Sequence, residues 1–199
     1  MNRTSTQVLS RGKRAAGLTL PETMVAVELS SILLAMAGSL WLFGSRSFVA
    51  MSNYADLNAK SRNALDLMSR DIRQATRVTA FQNSDTAKKR LAVTNAVAGT
   101  AITYTWNANT RTLMCQKTGQ PDPVVFLTEC DRWDFQLYQR SPQINGTYLF
   151  VPATNAAGAY DLSLCKLINM TWKCSRTILG SKINTESVQT AQVVLRNKQ

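Results

Sequence analysis

The sequence predicts an α+β protein in which one long N-terminal α-helix packs on a C-terminal antiparallel β-sheet. The first indication is a stretch from Phe48 to Thr79 that holds no proline and no glycine and places its apolar residues at helical spacing. The second is a change of period after residue 80, where Ile102, Tyr104 and Trp106 alternate with polar residues, as in a half-buried strand. A helix followed by a run of short strands is typical of this class.

The composition of the chain excludes several classes of enzyme. Its 199 residues, 45% of them hydrophobic and 18% charged, suffice for one domain and an extension. The chain contains no histidine, which excludes His-ligated zinc and Ser-His or Cys-His catalysis. It also lacks a glycine-rich phosphate-binding motif, a G-x-S-x-G motif and paired catalytic carboxylates. We therefore expect no enzymatic activity and no cofactor.

A basic N-terminus precedes an apolar segment. Four basic residues and no acid stand before residue 15, so of the formal net charge of +11 the chain from Ala15 onward carries +7, from 19 basic and 12 acidic residues. The apolar segment Leu18–Gly44 has 27 residues and no basic side chain. As a helix it is long enough to span a bilayer core of about 30 Å. The positive-inside rule predicts a cytoplasmic N-terminus and a C-terminal body delivered across the membrane.

Three interpretations of this apolar segment compete. A cleaved secretory signal has its A-x-A site in Ala35–Ala37, yet the apolar run continues beyond that site to Phe43. An uncleaved membrane anchor is allowed by length alone. Neither explains the acids Glu22 and Glu28, because an acid at membrane depth costs roughly 2.5–3.5 kcal/mol and requires a partner.

The third interpretation follows from residues 14–22, RAAGLTLPE, which stand directly before the long apolar run. This stretch resembles the class III leader of type IV pilins and pseudopilins. The resemblance implies that a prepilin peptidase cuts after Gly17 and that the new N-terminus, Leu18, is methylated; Leu18 stands where the family usually has phenylalanine. It also implies that Glu22, the fifth residue after the cut, pairs with the N-terminal amine of a neighbouring subunit in a filament. Glu28 has no fixed role in the family.

The segment after the membrane span is predicted to be an amphipathic helix. Its apolar face consists of Leu57, Ala64, Leu65, Met68, Ile72 and Ala75. Another face carries charged residues, namely Arg62, Asp66, Arg70, Arg73 and Arg77. Because that stripe contains its own counter-ion and no aromatic residues, a solvated face is favoured over a nucleic-acid site. Unbroken from Leu18 to Arg77, the helix would be about 90 Å long. Residues 61–75 resemble the stem of the PilW/GspJ group of minor pilins.

The remainder of the chain is predicted to form the antiparallel sheet. Ile102–Trp106, a turn at 107–110 and a returning strand at 111–116 form a hairpin. Further strands are expected at Val124–Leu127, Trp133–Tyr138, Tyr148–Val151 and Ile168–Cys174. The sheet is expected to end with Ala191–Arg196, although Thr185–Gln192 fits a helical turn equally well.

Two clusters in this region are candidate sites. The cysteines Cys115, Cys130, Cys165 and Cys174 fit no metal or redox motif; they allow two disulfides in three pairings after export, or four buried thiols in a reducing compartment. The acids Glu129, Asp131 and Asp134 are weak candidates for a calcium site, since calcium prefers clustered oxygen ligands. The alternative for the acids is an exposed turn.

Together these features predict a structural subunit, a minor pilin or pseudopilin assembled into a type II secretion pseudopilus or a type IV pilus. The predicted segments are a leader (1–17), a transmembrane helix (18–45), an amphipathic stem (46–79) and a β-rich domain (80–199). By resemblance its partners are a prepilin peptidase/N-methyltransferase, other pilin or pseudopilin subunits, an inner-membrane assembly platform and membrane lipid; nucleic acid is not expected. It would sit in the inner membrane with a periplasmic C-terminal domain, and later in a pilus or pseudopilus.

Two other function classes stay open at this level. One is a DNA-binding pilin of a competence system, which would use the +7 charge and bind duplex DNA in a salt-sensitive manner. The other is a membrane-anchored periplasmic protein of unrelated function, which would keep its N-terminus.

Overall fold

The computed structural model describes Gly17 and residues 19–95, 99–143, 145–177 and 185–196. Over these residues the chain forms one α-helix followed by nine β-strands. The helix is α1 (Leu20–Gln74), and the strands are β1 (Arg77–Gln82), β2 (Lys88–Asn95), β3 (Thr100–Asn107), β4 (Thr112–Lys117), β5 (Val124–Leu127), β6 (Cys130–Pro142), β7 (Tyr148–Pro152), β8 (Leu167–Ser175) and β9 (Glu186–Val194). The predicted α+β class is confirmed.

Helix α1 has 55 residues and takes part in two compact units, one that ends at Arg46 and one that begins at Ser47. The helix ends earlier than the predicted stem boundary at residue 79, because the chain joins a sheet at that point. The amide of Thr76 donates to the carbonyl of Thr94 at 2.8 Å, and Arg77 is the first residue of β1. A β-branched residue such as Thr76 suits the extended backbone better than the helix.

The nine strands form two antiparallel sheets, where the sequence predicted one. The first sheet has the order β1-β2-β3-β4-β5, and the second has the order β7-β6-β8-β9. The break lies between β5 and β6, where Glu129 takes a positive φ of 60° and the register of β6 shifts between Cys130 and Arg132. These irregularities turn the chain out of the first sheet and start the second.

Each predicted strand overlaps an observed strand, and two further strands were missed for a physical reason. Residues 186–194 are a strand, so the helical turn considered for Thr185–Gln192 is wrong. Strands β1 and β2 were not predicted. In β1 the register shifts between Val78 and Ala80, and in β2 the consecutive residues Leu91–Val93 are all buried. Neither strand therefore shows the alternation on which strand prediction depends.

The core of the second unit lies between the helix and the two sheets. The helix contributes Leu57, Ala64, Met68 and Ile72, each at most 2% exposed, which confirms the predicted apolar face. The sheets contribute large side chains from their inward-facing positions, among them Tyr104, Leu113, Trp133, Phe135, Met170 and Trp172. The burial of this face explains why the second half of α1 is a helix, since tertiary packing supplies most of the stability of such a segment.

Candidate functional site

The predicted processing and assembly residues lie at the start of α1. Thr19 precedes the helix, and its backbone carbonyl accepts a hydrogen bond from the amide of Thr23 at 3.1 Å. The carboxylate of Glu22 accepts two hydrogen bonds through Oε2, from the amide of Thr19 at 2.9 Å and from its hydroxyl at 2.8 Å. This is half of a capping box, in which a glutamate three residues into a helix satisfies the amide of the capping residue.

Pro21 and Gly17 fit this helix start without strain. Pro21 falls in the first turn, where its missing N–H has no partner to lose. Gly17 is exposed, and a Cβ added to it would meet no atom within 4 Å. The structure therefore gives no packing reason for a glycine at this position. The predicted new N-terminus, Leu18, lies outside the described residues.

The first half of α1 is apolar and exposed. It is long and apolar enough to cross a membrane, and none of its most apolar window is buried. Leu33, Leu40 and Trp41, for example, are 66–72% exposed. The protein is thus compatible with a single-pass membrane anchor near the N-terminus.

Polar groups within this apolar half are mostly satisfied by the helix itself. Ser30, Ser31 and Ser39 each donate a hydroxyl hydrogen bond of 2.7 Å to a backbone carbonyl three or four residues earlier. These serines therefore need no polar partner outside the helix. Glu28 is exposed on the same segment. The other acid of this segment, Glu22, accepts the two hydrogen bonds from Thr19 that are described above.

The acidic cluster considered for a cation is arranged as ion pairs. The Glu129 carboxylate contacts Arg176 at 2.7 Å, the Asp131 carboxylate contacts Arg111 at 2.7 Å, and Asp134 pairs with Lys89. Asp134 also pairs with Arg132, which lies two positions before it. In the part of the chain that the structure describes, no group of three or more Cys, Asp or Glu residues is placed to hold a metal ion.

The pKa of Asp134 shows how strongly Lys89 and Arg132 stabilise its ionised carboxylate. Burial of the carboxyl opposes ionisation and is the largest single effect. The hydrogen bond and the charge of Lys89, together with those of Arg132, nevertheless outweigh burial and lower the pKa of Asp134. Asp134 is therefore an ionised partner in a salt bridge at neutral pH.

The four cysteines lie in three different places. Cys115 is on β4 in the first sheet, and Cys165 lies just before β8. Cys130, the first residue of β6, stands opposite Cys174 of β8. All four side chains are buried, at most 1% exposed.

Two polar clusters that join the helix to the sheets were not predicted. The guanidinium of Arg176 binds Glu129 and also reaches α1, where it contacts Asp56 Oδ2 at 3.1 Å and Asn53 Oδ1 at 2.9 Å. These contacts raise the pKa of Arg176, chiefly through its hydrogen bonds to Glu129. Arg176 belongs to no sequence motif, and its partners on α1 lie about 120 positions away. Its role could therefore not be predicted from a local sequence pattern.

The second unpredicted cluster is centred on a buried acid of α1. Asp71, 5% exposed, accepts a hydrogen bond from the hydroxyl of Tyr104 at 3.3 Å and forms an ion pair with Lys117 at 2.8 Å. Burial and, secondarily, the negative charge of Asp71 raise the pKa of Tyr104, so the tyrosine stays a proton donor. The sequence feature that could have indicated this cluster is that Asp71 is the single acid among the buried positions of α1.

No family model, curated protein or solved structure matches this chain.

Proposed function

We propose that this chain is a structural subunit of the type IV pilin and pseudopilin class, and that it works by assembly rather than by catalysis. The first half of α1 would hold the precursor in the inner membrane and would afterwards enter the helical bundle of a filament. The second half of α1 would connect that bundle to the β-rich body, which would face the periplasm.

The observation that carries this proposal is an acid in the first turn of an exposed apolar helix. A soluble protein buries an apolar helix face, whereas the first half of α1 is exposed. A simple anchor would not place a carboxylate at Glu22, because an unpaired charge in the bilayer is costly. An apolar helix that must pack in a defined register against copies of itself gains from one such charge, provided that a partner cation is present.

Cleavage after Gly17 would supply that cation. It would leave a positively charged amine on Leu18, four positions before Glu22. In the precursor the carboxylate of Glu22 is held by the N–H and the hydroxyl of Thr19. These bonds keep Glu22 pointing back toward the start of the helix, which is the end where the new amine forms. We propose that the amine which Glu22 finally meets belongs to a neighbouring subunit.

Gly17 fits the processing step because the fold does not need a glycine there. A side chain at this position would have open space, so a steric demand for glycine would come from a peptidase active site. The first experiment is N-terminal sequencing and intact-mass measurement of the membrane protein made together with a prepilin peptidase. We expect a chain that begins at Leu18 and is one methyl group heavier. A start at Gly38 would indicate an ordinary secreted protein, and an intact leader would indicate a simple anchor; either would refute the proposal.

The matched variant for processing is Gly17→Val. It should abolish cleavage while the body keeps its thermal unfolding midpoint, because a Cβ at position 17 would meet no atom of the described residues within 4 Å. If Gly17→Val is cleaved at the same rate as the natural chain, the peptidase does not recognise the glycine, and the proposed role of Gly17 is wrong.

Assembly is tested with Glu22→Gln, and Glu28→Gln serves as the control. Both changes remove one carboxylate from the same apolar segment with almost no change of shape. We expect Glu22→Gln to be inserted and cleaved but largely lost from sheared filaments, and Glu28→Gln to be incorporated normally. Equal incorporation of both variants would contradict the pairing of Glu22 with an amine.

A further inference from the structure

Two buried cysteines face each other across the second sheet. Cys130 of β6 and Cys174 of β8 are paired in the register of the two strands. The amide of Ser175 donates to the carbonyl of Glu129 at 3.0 Å, whereas the amide of Cys130 donates to the carbonyl of Arg111, in the turn before β4, at 2.8 Å. A bond between the residues that flank a pair marks a non-hydrogen-bonded pair, in which the Cα atoms are about 4.5 Å apart. A disulfide needs a Cα separation of about 4.4–6.8 Å.

The thiols of this pair also interact with each other. Their interaction raises the pKa of Cys130 and lowers that of Cys174. The hydroxyl of Ser61, on α1, lies 3.9 Å from Cys174 Sγ. Helix α1 therefore packs on Cys174, and both cysteines are buried, with exposed fractions of 0% and 1%.

The other two cysteines have different surroundings. On β4, Cys115 stands opposite Tyr104 on one side and Val124 on the other. Cys165, before β8, directs its Sγ to the carbonyl of Leu167 at 3.7 Å. Of the three ways of pairing four cysteines, only one contains Cys130–Cys174, and it is the one that the strand register favours.

We propose that Cys130 and Cys174 form an intramolecular disulfide when the body folds in an oxidising compartment. The choice of partners rests on the register alone, and the oxidising compartment rests on the proposed function, which delivers the body to the periplasm. The bridge fastens the first residue of β6 to β8, the two strands in the middle of the second sheet.

The reaction is a thiol–disulfide exchange with a disulfide oxidant, such as oxidised glutathione or a disulfide oxidoreductase. The thiolate of one cysteine attacks a sulfur of the oxidant and releases the first thiolate. The thiolate of the second cysteine then attacks the cysteine sulfur of the mixed disulfide and releases the second thiolate of the oxidant. The two protons lost by the cysteines are taken up by the two leaving thiolates, so that the cysteines are oxidised and the oxidant is reduced.

This exchange is expected before folding buries the pair. In the folded chain the interaction with Cys174, together with burial, raises the pKa of Cys130, whereas the pKa of Cys174 is lowered, so access to the sulfurs and not their ionisation limits the exchange. Neither sulfur is reachable by an oxidant in that state. The bridge is therefore formed during folding, and a chain that folds reduced stays reduced.

The experiment refolds the full chain from urea into detergent micelles with reduced and oxidised glutathione, blocks the remaining thiols and maps tryptic peptides without reduction. Trypsin places each of the four cysteines on a different peptide, so the map identifies the partners directly. We expect a cross-link between the peptides of Cys130 and Cys174. A cross-link of either one to Cys115 or Cys165, or no cross-link to either, overturns the proposal.

The same map of protein isolated from the cell separates this inference from the proposed function. A bridge in both samples supports the pairing and the export. A bridge after refolding but four thiols in the cell leaves the pairing intact and contradicts delivery of the body to the periplasm.

Variants test whether the bridge supports the fold. The natural chain refolded in the presence of a reductant should have a thermal unfolding midpoint roughly 5–15 °C below that of the chain refolded with the glutathione couple. The double variant Cys115→Ala/Cys165→Ala should keep this response, and Cys130→Ala/Cys174→Ala should lose it, whatever the midpoint of each variant. The readout is the difference with and without reductant, so a general loss of packing in either variant does not affect the comparison. A response kept by Cys130→Ala/Cys174→Ala overturns the assignment.

Discussion

The buried carboxylate of Asp71 is the sharpest test of how α1 is held on the first sheet. Asp71→Ala removes the acceptor of the Tyr104 hydroxyl and the counter-ion of Lys117. Tyr104 is 0% exposed, so its hydroxyl would be left without this acceptor in the core, at a cost of about 1–3 kcal/mol. Lys117 is 31% exposed and can turn to water, so its lost pair adds at most about 1 kcal/mol.

We therefore expect Asp71→Ala to destabilise the body by about 1–4 kcal/mol, a fall in thermal midpoint of roughly 2–15 °C. The assay is thermal unfolding of the full chain in detergent micelles, followed by tryptophan fluorescence. Trp133 and Trp172 are buried in the body, so they report its unfolding. Arg70→Ala is the control, because Arg70 lies 3.8 Å from the same carboxylate but is 60% exposed, and it should change the stability by less than about 0.5 kcal/mol.

A double-mutant cycle identifies the source of the loss. In a Tyr104→Phe background no hydroxyl is left to lose its acceptor, so Asp71→Ala should cost about 1–2 kcal/mol less than in the natural chain. An equal cost in both backgrounds would show that the hydrogen bond does not carry the effect. A cost below about 1 kcal/mol in the natural chain would show that the site relaxes around the missing carboxylate.

Three further predictions concern the other ion pairs and a thiol. Lys89 and Arg132 lower the pKa of Asp134 from 3.8 although burial of the carboxyl opposes them. The contribution of this ionised carboxylate to stability is therefore present above pH 3.8 and is lost as the pH falls through the lowered pKa. In Asp134→Asn the free energy of unfolding should depend less on pH over that range. Arg176→Ala should lower the stability by about 1–3 kcal/mol in urea unfolding, and Arg176→Lys should recover only part, because lysine lacks the guanidinium fork. Burial raises the pKa of Cys115 to about 11, so maleimide at pH 8 should label it only as fast as the body opens; rapid labelling would contradict its burial.

Regular patterns were enough to predict the main elements. The apolar face of the second half of α1 was readable because every buried position repeats at helical spacing. Strand β5 was predicted at its observed bounds, Val124–Leu127, because a short apolar run stands between turn residues. Strands β1 and β2 were missed because a register shift and three consecutive buried residues hide their alternation.

The site predictions also depended on whether the residues involved lie close together in sequence. Gly17, Glu22 and the apolar run lie close together in sequence, so their relation was visible without a structure. The acids Glu129, Asp131 and Asp134 looked like a possible cation site because their neighbours in sequence were all that could be considered. Apart from Arg132, which pairs with Asp134 on the same strand, their partners come from distant parts of the chain, as with Arg176 beyond β8.

The sequence by itself determined the order of the chain: a basic N-terminus, an apolar helix with an acid in its first turn, an amphipathic continuation and a series of strands. These are local properties, because helical or alternating spacing and the membrane-spanning length depend only on neighbouring residues. Only the tertiary structure decided that the strands divide into two sheets, that Asp71 and Arg176 tie the helix to them, and that Cys130 faces Cys174. Strand register and contacts between distant residues are set by how the whole core packs, and no short stretch of sequence contains that information.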